Sequence, residues 1–291
     1  MNQSVYRGKE ASHRYRKVFI DSKYRTSGTS SNFTVTLPEV LDMSHNHRFC
    51  VDDITLPRSW YNVGSSNKYV YVGRLYASTP NIWRAVLTEG DYDGVSLATE
   101  LQNQLNSTSV GGTFSVSFNR STGRLQVTNT SVAFILPSDD ELVVLGNQGI
   151  VAIDATNAQN PYLPLKYKEQ LRSCNYVCGN LQGWRGYNTL LVLDSPVDLN
   201  WLDVVYIHGL DFGSYNTLNL RGDKTIIKEV KVDGQPFSYV YDNANFGFDW
   251  MDCSNQSWGQ LTFALRDKYG NEVNLNNRDV SFSLVLEDLS I

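Results

Sequence analysis

The chain has 291 residues, enough for one large all-β domain or for such a domain carrying a smaller insertion. A formal charge of -5 at pH 7 excludes the positive field of a dedicated nucleic-acid binder, and 17 Tyr, 12 Phe and 6 Trp supply the material for a sizeable core. Four cysteines, Cys50, Cys174, Cys178 and Cys253, are too sparse for a disulfide scaffold and read as free thiols.

The opening residues carry Arg7, Lys9, Arg14, Arg16 and Lys17 against a single Glu10 and show no hydrophobic period, so 1–16 reads as a flexible basic arm. No signal-peptide apolar stretch and no run near eighteen apolar residues is present, so neither a secretory leader nor a membrane span is expected. From residue 17 the pattern alternates with period two: Val18 to Ile20, Phe33 to Leu37 ended by Pro38, Phe49 to Leu56 ended by Pro57, and Tyr69 to Val72. These are strands of a first β segment over 17–81, with the Ser-, Thr- and Gly-rich stretch 22–32 as an exposed loop.

Between 82 and 146 the character changes. A strand at 82–87 leads to Leu97, Ala98, Leu101 and Leu105 at three- and four-residue spacing, which predicts an amphipathic helix capped by Asp93 or Ser96. Phe114, Val116 and Phe118, a turn at 119–123, and Leu125 and Val127 predict a hairpin. A strand at 132–136 and a short helix capped by Ser138, with Glu141 at the capping-box distance, complete an inserted α+β subdomain. Residues 147–188 form an irregular connection, broken by Pro161 and Pro164. Beyond it, strands at 190–193, 204–207, 226–232, 237–241, 261–265 and 282–286 supply the rest of a mainly β, antiparallel jelly-roll sandwich.

Motifs for chemistry are scarce. His45 with His47 and Cys174 with Cys178 lack the further ligands of a metal site, and no nucleophile elbow, phosphate loop or His-Glu-x-x-His is present. No cofactor or metal is expected. General acid–base work would fall on Asp139, Asp140 and Glu141, or on Asp52 and Asp53; the first group reads as helix-start chemistry and the second as solvated or paired strand residues. No catalytic residues are assigned, and the chain is expected not to be an enzyme. The arm could touch DNA phosphates, but the body offers no basic stripe to extend such a site, which favours protein partners over nucleic acid.

The order of segments resembles a known group. VFIDSKYRTSGTSSNFTVTLP at 18–38 followed by FCVDDITLPRSWYNV at 49–63 is similar to the opening of penton and minor capsid proteins of adenovirus-like double-stranded DNA viruses, virophages and Polinton elements. Asp21, Ser22, Arg25, Gly28, Leu37 and Pro38 fit their opening motif, and Asp267, Gly270, Val273 and Leu275 fit their terminal hairpin turn. The resemblance implies a virion protein forming a homopentamer at the fivefold vertices of an icosahedral capsid. Its implied partners are neighbouring major capsid proteins, minor or cement proteins, a fibre or a host receptor. For such contacts the candidate residues are Arg7, Arg14, Arg16 and Lys17 of the arm, with Trp60, Tyr61, Trp184, Tyr187, Trp250 and Trp258 as aromatic anchors if they lie on the flanks and core residues if they do not. Two alternatives remain open: a cement or host-attachment protein acting through the insertion, and a carbohydrate-active β-sandwich enzyme using Asp139 or Asp52.

Overall fold

Residues on either side of a long central excursion build two antiparallel sheets. The structure is a computed structural model that describes residues 15–43, 46–65, 67–76, 79–137, 189–193, 195–200, 202–212, 217, 222–245 and 248–289. The chain divides into two units, one drawn from 1–60 and 203–291, the other from 61–202.

In the first unit, one sheet has the order β1 (Tyr15–Asp21), β16 (Ser281–Asp288), β4 (His47–Pro57) and β13 (Tyr239–Asp242), with the two-residue β14 (Met251–Asp252) also on β4. The other has the order β12 (Ile226–Lys231), β11 (Val204–Gly209), β15 (Gln256–Arg266), β3 (Asn32–Met43) and the short β2 (Ser27–Gly28). Setting β2 and β14 aside leaves eight strands. In chain order the first pairs with the eighth, the second with the seventh, the third with the sixth and the fourth with the fifth, all antiparallel. That nesting is one long hairpin rolled up on itself, which is the jelly roll. The excursion leaves between the third strand, β4, and the fourth, β11.

Aromatic rings from both sheets fill the space between them. Phe49 stacks on Phe212 at 5.2 Å, Trp258 meets both edge-on at 5.3 and 4.5 Å, and Phe263 bridges to Phe212, Phe33 and Phe282. Gly209 is required beside this cluster, because a Cβ there would collide with the Phe212 ring. Cys50 and Cys253 are free and buried, and burial pushes both thiols up to about 12.

The second unit holds two small sheets and a helix. β5 (Tyr69–Tyr76) lies between β6 (Thr79–Val86) and β9 (Phe134–Ile135), and β8 (Arg124–Asn129) lies between β7 (Phe114–Asn119) and β10 (Leu190–Val192). Helix α1 (Gly94–Asn106) starts at a capping box in which Asp93 and Ser96 each satisfy the other's backbone, so both predicted caps are used. Its buried side chains include the four predicted ones. Its polar side chains cover the open edge of β7: Gln102 accepts from the Val116 amide, and Asn106 both accepts from and donates to Phe114.

Several boundaries differ from those read in the sequence. Tyr15 and Arg16, assigned to the arm, are already in β1, paired with Glu287 and Leu286. β5 was grouped with the jelly roll because its alternation is indistinguishable from that of β3 or β4, yet it pairs with β6 and β9. The same holds for β10, which pairs with β8. Pro38 does not end its strand; β3 continues to Met43 after a break opposite β15. The predicted loop 22–32 contains β2 and a 3-10 turn at Ser22–Tyr24, and it buries Ser22, Ser30 and Ser31. The predicted strand at 132–136 shrinks to two residues, and the helix predicted at Ser138 lies outside the described residues.

Candidate functional site

The aromatic anchors separate by environment. Trp258 is 2% exposed and belongs to the core cluster of the sandwich, and Trp60 is also buried. Trp250 is half-buried under the Arg48 guanidinium, which lies 4.4 Å from its ring centroid; Tyr61 is half-buried. Arg16 and Lys17 are exposed or nearly so but engaged: Arg16 pairs with Glu39, and Lys17 reaches Asp52 at 3.2 Å and also Asp53. Arg7, Arg14, Trp184, Tyr187, Asp139 and His45, with Cys174 and Cys178, lie outside the described residues.

Asp53 and Ile54 form a β-bulge next to Asp52. Two residues of β4 face Phe282 alone, and Asp53 takes a left-handed φ of 48°. Burial would raise the Asp52 carboxyl, but the Ala244 amide at 2.8 Å, Lys17 and the Asp53 amide together hold it below the usual carboxylate range. It is a structural anion, held by groups that occupy its oxygens. Among the described residues no three of His, Cys, Asp and Glu gather as metal ligands.

Exposed aromatics instead occupy the two edges of the β1 sheet. At the β1 edge Phe19 is 77% exposed, with Tyr15 and Tyr24 beside it in the chain. At the β13 edge stand Tyr239, Tyr241, Phe237 and Phe248, the last 87% exposed. Their signal was present in the alternation, since Phe19 precedes buried Ile20, and Tyr239 and Tyr241 flank buried Val240. Strand parity alone could not say which set faces the core, and an aromatic outward face runs against the usual expectation.

The edges differ in shape. Across Leu37–Val40, β3 leaves β15, its register jumping from Thr36 opposite Gln260 to Leu41 opposite Trp258. Pro38 has no amide to hold the strand there. A cavity of about 370 Å³ opens beside this break, lined by Val18, Ile20, Val35, Leu37, Pro38 and Leu41, with Phe19, Tyr24 and Thr36 and the charged Arg16, Lys17, Asp21 and Glu39 also on its wall. The β13 edge carries protrusions. Lys228, on β12, binds Asp249 at 2.6 Å and the Asn243 carbonyl at 3.1 Å, while Asp249 accepts from the Asn245 amide, and Ala244 donates to Asp52. Ala244, Asn245 and Asp249 near Phe248 are thus each held by hydrogen bonds. Phe237 holds a φ of 63°, a left-handed conformation costly for an aromatic residue, fixed by backbone hydrogen bonds between Phe237 and Arg58 and between Arg58 and Ser238.

Most charges at both edges are paired within the chain: Arg16 with Glu39, Lys17 with Asp52 and Asp53, and Arg25 with Asp279 at one, Asp242 and Asp249 with Lys228 at the other.

No protein-family model matches the sequence, and no curated protein matches it. Among solved structures, the chain is similar to the mavirus penton protein, whose selenomethionine-labelled crystal structure matches at 12% identity over 94% of this chain and 98% of that one, with a TM-score of 0.48. It is also similar to a chain of the Sputnik virophage structure determined by cryo-EM, at 11% identity over 94% of this chain and 97% of that one, with a TM-score of 0.37.

Proposed function

We propose that the chain is a structural virion protein of penton type. In this reading the jelly roll forms a homopentamer that closes the fivefold vertices of an icosahedral capsid, contacts the surrounding major capsid proteins and performs no catalysis. The observation that carries the proposal is the pair of unlike, aromatic-bearing edges on one sheet. Jelly rolls serve as capsid domains, lectins and cupins, so the function has to be argued from the surface that each exposes. Here the interior is packed with rings, and the exposed aromatic side chains among the described residues lie on the flanks. A closed ring needs two different patches that meet head to tail, and the edges supply two that differ: a cavity beside the β3 break at one, and the exposed rings of Phe237, Tyr239, Tyr241 and Phe248 at the other. The fivefold order comes from the motif order at 18–38, 49–63 and 261–287, which resembles that of penton proteins.

A reconstruction of particles containing this chain tests the proposal. Density for the jelly roll is expected at the fivefold vertices, one copy per fivefold-related position. Density confined to the facets, or bridging major capsid proteins away from the vertices, would make it a cement protein instead.

A further inference from the structure

We infer that the open edge of β1 takes an extended segment of another protein as an added strand, the segment's alternate side chains filling the groove between β1 and β3. The main chain carries the inference. Ser22 donates to the Val280 carbonyl at 3.0 Å, in register with Asp21 opposite Ser281, so Ile20, Val18 and Arg16 likewise turn their backbone groups to β16. Lys17 and Phe19 therefore turn their amides and carbonyls away from the sheet, and among the described residues nothing bonds them. Across the groove the same alternation holds on β3. Leu265 donates to the Ser31 carbonyl and Asn32 lies opposite Ala264, so odd residues face β15 and even ones face β2. That outward row continues to Thr36, past the end of β2, and is open there.

The groove's lining says which partner fits. Open backbone donors and acceptors that recur at every second residue, roughly 6.8 Å apart, are matched by the backbone of another extended polypeptide. Val18, Ile20, Val35 and Leu37 give the groove an apolar floor, while the Arg16–Glu39 pair, Lys17 and Asp21 make it polar elsewhere. That mixture suits a strand with small apolar side chains on one face and polar ones on the other. This chain supplies no such segment. Residues 1–14 show no apolar alternation, and the eight jelly-roll strands of a second copy are already paired within that copy. The guest is therefore a segment of a different protein. The inference goes beyond the ring reading and does not depend on it: a bound guest extends the β1 edge and becomes part of the patch presented there.

The test uses the full-length chain and a fluorescein-labelled peptide, Lys-Val-Thr-Val-Thr-Val-Lys, followed by fluorescence anisotropy. Saturable binding is expected. N-methylation of alternate peptide residues, in at least one of the two phases, is expected to weaken it roughly tenfold or more through lost main-chain hydrogen bonds. Phe19→Pro removes an outward amide without touching the β16 ladder and is expected to weaken binding by a similar factor. Leu37→Trp fills the floor and is expected to do the same should the proline disturb the fold, which thermal melts report. Tyr241→Pro, on β13 at the opposite edge, is expected to bind as wild type does; Arg58 donates to Ser238, so the Tyr241 amide also points away from β4. No binding, or binding unchanged by both methylated peptides or by a folded Phe19→Pro, would overturn the inference. Displacement of the probe by a peptide of residues 1–14, or its exclusion as the chain is concentrated, would assign the edge to the arm or to a second copy and overturn it as well. The ring reading is tested separately, by particle mass without peptide.

Discussion

Arg48 and Glu287 face each other across β4 and β16, and their environments are unequal. The Glu287 side chain is 1% exposed and bonded to the Arg48 Nε at 2.5 Å, while Arg48 is partly open to solvent over Trp250. Removing the arginine would take the counter-charge from a buried carboxylate, so Arg48→Ala is expected to cost about 3 kcal/mol in denaturant unfolding. Asp52 gives a pH signature. Its folded carboxyl is held below its unfolded value, so its contribution is present above the unfolded value of 3.8 and is lost as pH falls through the folded pKa. Asp52→Asn is expected to cost about 2 kcal/mol at neutral pH, with the gap to wild type closing below pH ~4 in acid titrations of stability. The Cys50 and Cys253 thiols, at about 12, act in the opposite sense: stability is full below the unfolded value near 9.0 and falls as pH rises toward 12. In a background lacking Cys174 and Cys178, thiol reagents at pH 8 are expected to label the protein only after unfolding. At this scale the sequence said little about which aromatics are structural. Trp258 and Phe248 look equally promising as letters; burial separates them, and burial depends on pairing across the whole chain.

Elements were easier to read where local chemistry determines them. Helix α1 follows from its 3.6-residue stripe and its Asp93 cap, and the β7–β8 hairpin from alternation around a turn that ends at Gly123, which takes a positive φ of 67°. Asp93→Ala is expected to cost about 1 kcal/mol, the usual value of a lost N-cap. Gly94 is less obvious. Alanine is the better helix former, but a Cβ at this position would enter the Phe118 ring of β7. Gly94→Ala is therefore expected to lose about 1–3 kcal/mol in thermal or denaturant melts, and Phe118→Ala in the same chain should remove most of that specific penalty. The end of β3 was misread for the converse reason. Proline predicts a missing hydrogen bond, and the strand accommodates it by parting from β15 over four residues and resuming at Leu41.

At the scale of the molecule, the nested pairing that defines the jelly roll is invisible to periodicity, because β1 finds its partner β16 some 260 residues later and nothing local encodes that choice. The excursion was detected by its helix and hairpin, but its limits were not, since β5 and β10 carry the same alternation as jelly-roll strands. The difference has an experimental consequence. Deleting 82–146 would leave β5 without β6 and β9, and β10 without β8, exposing unpaired edges, so aggregated protein is expected. Replacing the whole unit, 61–202, with a Gly-Ser linker is expected to give soluble protein that still forms rings while losing any host attachment made by the excursion. Soluble yield and particle mass report on assembly, and cell-binding assays on attachment.

The account as a whole turns on whether unlike edges of one sheet close a ring of five. Mass measurement of the purified full-length chain, combined with class averages of the same sample, addresses this most directly. The predicted result is a species of about five times 32.9 kDa with fivefold averages. A monomer at all concentrations, or a twofold dimer, would contradict it.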